Sequence, residues 1–392
     1  MRIVSTSAIR EPQTAARGRE LVSGNRMVAL GAIAAGCRFF SGYPITPSSE
    51  IYQTMMEQLP RPEIGGLALA APDEISALCY CVGASMTGAK AMTATSGPGW
   101  CLMIETVQYA VMTETPLVVA VVQRLGPSTG GATQGAQGDV LLTEFCTSGG
   151  YAIPVFAPAS ARECFELTQV AFHWAERLRT PVVLLSDKEV GMTLESVDLS
   201  SLPRLTPAER KPLPLGTRTA AYSLDCIEEP PGFSPVGGEV RVVATGSAHD
   251  QQGRLRKNAP EVVELLLHLQ AKISAHAEAM AQLKADLQPG ADTLLLSYGI
   301  SARATRESAL RLRAAGQRVS LLQVQSLFPV PEAAILRAAE DCRRVVCVEE
   351  NMTGLYAAVL APLFAKQRLV RVNRVGEMIS PGEIVAAVEA AA

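Results

Sequence analysis

Ser41-Gly42-Tyr43-Pro44-Ile45-Thr46-Pro47-Ser48-Ser49-Glu50 is the stretch from which the rest of the chain is read. It follows a small-residue run, Ala29 to Phe40, and precedes a segment with helical patterning. Each proline fixes its own φ and pushes the residue before it, Tyr43 or Thr46, out of the helical region. Thr46 is then placed as an N-cap, Pro47 at the first helical position and Glu50 in the first turn. Such a loop brings a threonine hydroxyl and free backbone N–H groups to the positive end of a helix dipole. That point suits a carboxylate or carbonyl oxygen of a small molecule, and an ordinary capped helix start has the same sequence.

Outward from this loop, helical and strand patterns alternate from Asn25 to Asp187. Asp73 to Gly88 reads as a helix, with Ile75, Leu78, Cys79, Val82 and Met86 at one-face spacing. Ala91–Thr95, Leu117–Val122, Ala152–Phe156 and Pro181–Leu185 read as strands. Trp100–Thr113 and Ala161–Arg177 read as helices, the latter with Cys164, Leu167, Ala171 and Ala175 inward. This alternation predicts an α/β fold, a doubly wound parallel sheet covered on both faces. Residues 1–22 are expected to be a flexible N-terminal segment and residues 23–200 the first domain. Residues 201–238, rich in Pro, Gly and charge, read as a linker. Residues 239–392 read as a second α/β domain. In it, Val240–Ala244 is expected as a strand and Pro260–Leu287 as helix. Further strands are expected at Thr293–Leu296, Arg318–Leu322, Arg344–Val348 and Leu369–Val372.

Composition narrows the function. The 392 residues are 48% hydrophobic and 19% charged, with a net charge of −3, which gives no basic footprint for nucleic acid or an anionic membrane. Aromatic content of 5% argues against base-stacking platforms. The nine cysteines form no Cys-x-x-Cys, so they are expected as buried small hydrophobes in a reducing cytoplasm, with no iron–sulfur cluster and no metal on this chain. No secretory signal or spanning run is visible, and Glu11 and Glu20 disfavour a transit peptide, so the expected location is cytoplasmic.

Three places could carry chemistry. Arg124 ends an apolar strand and opens the Gly-rich run Gly126 to Gly138, where a guanidinium could hold a carboxylate or pair with a structural acid. Glu74 stands in the first turn of a helix, as a dipole-compensating acid or a functional one. Thr95-Ser96-Gly97-Pro98-Gly99 permits close backbone approach to a ligand, or is a plain strand-to-helix turn. No Gly-Asp-Gly with a downstream Asn, no Walker lysine motif and no Gly-x-Gly-x-x-Gly after a strand is present, so a diphosphate has no evident holder.

Tyr43 to Glu50, Ala91 to Gly99 and Val122 to Gly130 closely resemble motifs of the alpha subunit of 2-oxoacid:ferredoxin oxidoreductases, most like the 2-oxoglutarate type. Val324–Pro329 and Val348–Gly354 resemble that family's second domain, with Leu355 where Gln is usual. Thr245–Asp250 resembles a Thr-Gly-x-Glu-His-Asp element, with Ala248 in place of the acid and His249 read as structural. The resemblance implies a thiamine-diphosphate pyrimidine-binding domain followed by a transketolase C-terminal-like domain. It implies that Glu74 acts on the aminopyrimidine ring, with Asp73 as the alternative, because Leu69–Pro72 is more apolar than the family's usual stretch. Thr46 and Arg124 would bind the 2-oxoacid, and Pro44, Ile45, Ser96 and Gly97 would contact the cofactor. A beta subunit would bring thiamine diphosphate, Mg²⁺ and a [4Fe-4S] cluster, with CoA and ferredoxin as further partners and an (alpha-beta)₂ assembly. Pyruvate or branched-chain specificity, a non-oxidative decarboxylase subunit and a non-catalytic scaffold are the competing readings.

Overall fold

The computed structural model describes residues 18–206, 208–213 and 220–391. The chain opens with β1 (Arg19–Ser23), α1 (Gly24–Ala34), β2 (Phe39–Gly42), α2 (Ser49–Gln58) and β3 (Leu67–Ala70). It continues through α3 (Glu74–Met86), β4 (Ala91–Thr95), α4 (Gly97–Met112) and β5 (Leu117–Gln123). Then come α5 (Val140–Glu144), β6 (Val155–Phe156), α6 (Ala161–Leu178), β7 (Pro181–Asp187), α7 (Lys188–Met192) and β8 (Leu194–Asp198). Past a long irregular segment lie α8 (Pro260–Ser274), α9 (Ala277–Met280), β9 (Leu283–Asp286), β10 (Thr293–Ser297) and α10 (Ser301–Ala314). The chain ends with β11 (Val319–Val324), β12 (Ser326–Phe328), α11 (Glu332–Ala339), β13 (Arg344–Glu349), α12 (Leu355–Leu360), β14 (Arg368–Asn373) and α13 (Pro381–Ala390).

A seven-stranded sheet runs in the order β12-β6-β7-β5-β4-β2-β3. All its pairings are parallel except β12 on β6. The run Leu117–Gln123 is buried along its whole length, as a central parallel strand must be. A five-stranded sheet, β14-β13-β10-β11-β9, carries the second domain and is parallel except for β9. The chain steps from β2 to β3 at one edge and then crosses back to β4 on the other side of β2. The carboxyl ends of β2 and β4 therefore flank a topological switch point, where doubly wound sheets bind ligands.

Several expectations are corrected. Residues 19–22 belong to β1, paired antiparallel with β8 and anchored by buried Val22, so they are not a loose tail; residues 1–17 lie outside the described residues. Helix α2 begins at Ser49, with Ser48 as N-cap, not Thr46. The reason is a turn that closes first: the Ser48 N–H and its Oγ both donate to the Ile45 carbonyl at 2.9 Å. Helix α3 buries Ala77, Leu78, Cys81, Val82 and Ser85, leaving Ile75 and Cys79 exposed. In a helix this apolar all round, small residues win the inward face because they let it lie close to the sheet. Ser85 Oγ donates to the Pro116 carbonyl at 2.5 Å and Cys81 Sγ to that of Met92 at 3.1 Å. Residues 240–244 form no strand; they join neither sheet, and the Val243 carbonyl instead packs against Gly253. The expected helix Pro260–Leu287 stops at Ser274, and Leu283–Asp286 pairs antiparallel with β11 instead. Cys79, Cys101 and Cys226 are exposed rather than buried.

The segment between β8 and α8 is pinned to the first domain by buried charges. Arg210 pairs with Glu176 at 2.5 Å, donates to the Ser85 carbonyl at 2.6 Å and lies 4.4 Å from the Phe233 ring centroid. Beneath α8, His268 Nε2 and Lys272 Nζ both reach Glu114 Oε2, at 3.0 and 2.7 Å. Burial pushes the Glu114 carboxyl up, and Lys272, His268 and Arg179 together override it, so it lies well below the usual carboxylate range.

Candidate active site

The loops after β2, β3, β4 and β5 all leave the same edge of the sheet, and each carries one of the residues singled out above. The loop after β2 is braced from below. Asn25 Nδ2 donates to the Pro47 carbonyl at 2.8 Å, and Ser23 Oγ donates to Glu50 at 2.6 Å. Tyr43, Pro44 and Thr46 are exposed and Ile45 is half-buried. The first residue past β5 is Arg124, only 7% exposed. Its Nη1 donates to the Thr46 carbonyl at 2.5 Å, and its Nε has no partner. The two residues assigned to substrate are thus in direct contact. The Thr46 carbonyl is committed to Arg124 and does not open a helix, and the residue itself is exposed.

The loops after β3 and β4 form the other wall. Asp73 caps α3 by accepting from the Ser76 N–H at 2.7 Å, so its carboxylate is occupied. Glu74, 7% exposed, is the acid turned inward. A Cβ placed on Gly99 would stand 2.1 Å from Thr95 Oγ1 and 2.6 Å from Glu74 Cγ, so only glycine lets Glu74 lie against the start of α4. Ser96, the N-cap of α4, makes no side-chain cap bond, and its Oγ is buried without a partner. A Cβ on Gly97 would stand 2.8 Å from both carboxylate oxygens of Asp139.

Asp139 is the first functional candidate that sequence reasoning missed. Burial pushes its carboxyl up to about 6, with Arg124 holding it back. Gln137 is the second. Its Nε2 donates to Asp187 and to the Tyr298 carbonyl, both at 3.1 Å, and its Oε1 accepts from Ser301 Oγ at 2.7 Å and the Glu350 N–H at 2.9 Å. One side chain of the Gly-rich loop therefore ties it to both sheets. Burial and neighbouring carboxylates push Asp187 up to about 7 and Glu350 up to about 8. The rule that ligands gather at strand carboxyl ends could have flagged Asp187, the last residue of β7. Glu349 is structural: it accepts from the N–H groups of Tyr356 and Ala357, both at 2.8 Å. His249 is structural as well, with ring nitrogens against the Asp250 and Met112 carbonyls.

Residues 30–267 match the model of a family described as pyruvate flavodoxin/ferredoxin oxidoreductase, thiamine diphosphate-binding. Residues 291–382 match pyruvate:ferredoxin oxidoreductase core domain II. The 2-oxoglutarate synthase subunit KorA of Methanothermobacter marburgensis is 37% identical over 93% of this chain and 96% of its own length. The chain belongs to the 2-oxoacid:ferredoxin oxidoreductase family, as an alpha subunit. Among solved structures, a 2-oxoglutarate:ferredoxin oxidoreductase from Magnetococcus marinus aligns over 95% of this alpha subunit, with a TM-score of 0.89 and 29% identity. The alpha subunit spans 65% of that longer chain, and that enzyme's structure has 2-oxoglutarate, coenzyme A and succinyl-CoA bound. A split-gene transketolase, at 15% identity and a TM-score of 0.52, shares the fold across 94% of the alpha subunit. The first domain is thus a thiamine-diphosphate-binding domain and the second is transketolase C-terminal-like. As an alpha subunit the chain works with a partner subunit. Among the described residues, no helix is long and apolar enough to cross a membrane, and no group of three or more His, Cys, Asp or Glu could hold a metal ion.

The residues present fit a pyrimidine ring. The buried Ser96 Oγ lacks a hydrogen-bond partner that a ring nitrogen or amino group could supply, and Glu74 lies against Gly99 at the start of the same helix.

Proposed function

We propose that this chain is the alpha subunit of a 2-oxoglutarate:ferredoxin oxidoreductase, interconverting 2-oxoglutarate and CoA with succinyl-CoA and CO₂, and active only with its beta subunit. The observation that carries the reading is the meeting of Arg124, Thr46, Glu74 and the Ser96–Gly99 turn around one switch point. The relatives' names and the ligands of the Magnetococcus marinus enzyme support 2-oxoglutarate as substrate. In this reading the two domains are those built on the seven-stranded and the five-stranded sheets, and the segment between β8 and α8 packs on the first of them.

In this reading Arg124 holds the substrate's 1-carboxylate with its free Nε and remaining N–H groups, and the Thr46 carbonyl fixes the guanidinium. The hydroxyl of the exposed Thr46 hydrogen-bonds the substrate near the reacting carbon. Pro44, Ile45, Ser96 and Gly97 pack against the pyrimidine, and Glu74 holds a proton at its ring nitrogen. When bound, thiamine diphosphate supplies a nucleophilic carbon and a sink for the electrons released with CO₂. The beta subunit provides the diphosphate and Mg²⁺ contacts and the [4Fe-4S] cluster that passes electrons to ferredoxin, within an (alpha-beta)₂ assembly in the cytoplasm.

Co-expression with the beta subunit, followed by assays with 2-oxoglutarate, pyruvate and 2-oxoisovalerate plus CoA and a low-potential acceptor, tests this. CoA-dependent reduction that is fastest with 2-oxoglutarate supports it. A preference for another 2-oxoacid overturns the substrate. Aldehyde release without acceptor reduction points to a non-oxidative decarboxylase, and no turnover from a cofactor-loaded complex points to a scaffold.

A further inference from the structure

Asp139 places a carboxylate at the start of α4 with one oxygen unused. It occupies the N-cap position of α5 yet makes no side-chain cap bond. Its N–H donates to Gln123 Oε1 at 2.9 Å, and Gln123 Nε2 in turn donates to Asp187 at 3.0 Å, so its backbone is fixed beside the end of β5. Its carboxylate lies over Gly97, at the start of α4, and Oδ2 is buried without a hydrogen-bond partner. Arg124 Nε is buried and unpartnered too, and Gln123, whose side chain holds the Asp139 N–H, is the residue immediately before Arg124. Two complementary groups thus share a site, each with an unused atom. Buried polar atoms in that state call for a ligand between or beside them.

We propose that Asp139 is a further substrate-site residue, which must carry a proton for a 2-oxoacid carboxylate to dock on Arg124. The inference rests on the 2-oxoacid reading above. Two carboxylates in one desolvated site cannot both stay ionised, so one must hold a proton. An ionised Asp139 repels the incoming acid, whereas a protonated Oδ2 donates a hydrogen bond to it. No bond to carbon forms or breaks: the proton stays on Asp139, shared with a substrate oxygen while substrate is bound. Burial already raises this carboxyl toward neutrality. Besides Arg124 at the end of β5, the titratable groups around it are Cys101 on α4, whose thiol the Asp139 charge pushes up further after burial, and Glu74 of α3, at Gly99 along the same helix.

The test is the pH profile of kcat/KM for 2-oxoglutarate in the assembled alpha–beta complex, wild type against Asp139→Asn. Wild type is expected to lose about tenfold per pH unit above the Asp139 pKa, through KM rather than kcat, because bound substrate holds the proton in place. The Asn variant donates at every pH and is expected to lack that limb. A wild-type profile without the limb overturns the inference, whatever the variant does. So does an Asn variant that assembles and keeps the limb. Arg124→Ala is the control that separates the two readings: its failure to weaken substrate use counts against the site as a whole, not against Asp139 alone.

Discussion

At the scale of single residues, Arg124 and Glu74 carry different burdens, and different measurements reach them. Arg124 has one N–H fixed by a carbonyl and the rest free, so its removal strips charge from the site while leaving one backbone acceptor unpaired. Arg124→Ala is expected to lower kcat/KM for the 2-oxoacid by about 30-fold or more, matching roughly 2 kcal/mol upward for a buried charged contact, with a small change in stability. Steady-state kinetics beside a urea titration separate the two. Glu74→Gln keeps the shape and removes the acid. Slower exchange of the thiamine C2 proton in the loaded complex is expected, and a wild-type rate counts against the role. Gly99→Ala inserts a Cβ into Thr95 and Glu74, so it should cost both stability and activity. An active Gly99→Ala complex with wild-type melting would mean that Glu74 need not lie where it does. Arg124 could be picked out from the sequence because it ends an apolar strand before a Gly-rich run, whereas Glu74, in the first turn of α3, was marked only by the family resemblance. Asp139 could not, because its meaning comes from Gly97, far away along the chain.

At the scale of elements, the buried cluster under α8 gives a pH-dependent prediction. Glu114, with φ +48°, sits in the left-handed region between α4 and β5 and faces His268 and Lys272 of α8. Its folded pKa lies below the ordinary value of 4.5. Its contribution to stability is therefore fully present above that value and is lost as pH falls through the depressed folded pKa. Glu114→Gln leaves Lys272 buried without its counter-charge and is expected to cost about 3–5 kcal/mol at pH 7. The gap to wild type should narrow in acid, and urea midpoints from pH 7 to 3 measure it. None of this was legible beforehand, because Glu114, His268 and Lys272 are distant in sequence and ordinary as residues. Strands such as Leu117–Gln123 were legible, since full burial demands an unbroken apolar run. Leu283–Asp286 was not: its local pattern suits a helix, and only the free edge of β11 makes it a strand.

At the scale of the whole molecule, two sheets meet through Gln137. Removing its side chain in Gln137→Ala strands Asp187, Ser301 and the Glu350 N–H together. A loss of about 1–3 kcal/mol is expected, with weaker 2-oxoacid binding because the same loop runs between Arg124 and Asp139. Thermal melting and KM, read on one preparation, check this. The alternation of helix and strand announced both α/β domains, whereas their joint did not show in the sequence: β12 comes from the far half of the chain yet closes the edge of the first sheet. The whole chain holds substrate- and pyrimidine-facing groups on one edge, which is half of a catalytic centre. The most direct measurement is CoA-dependent acceptor reduction with 2-oxoglutarate by the alpha chain alone, the beta chain alone and the two combined. Activity in the combination only, lost on Arg124→Ala, is what the half-site account predicts. Full activity from either chain alone, or an indifferent Arg124→Ala complex, contradicts it.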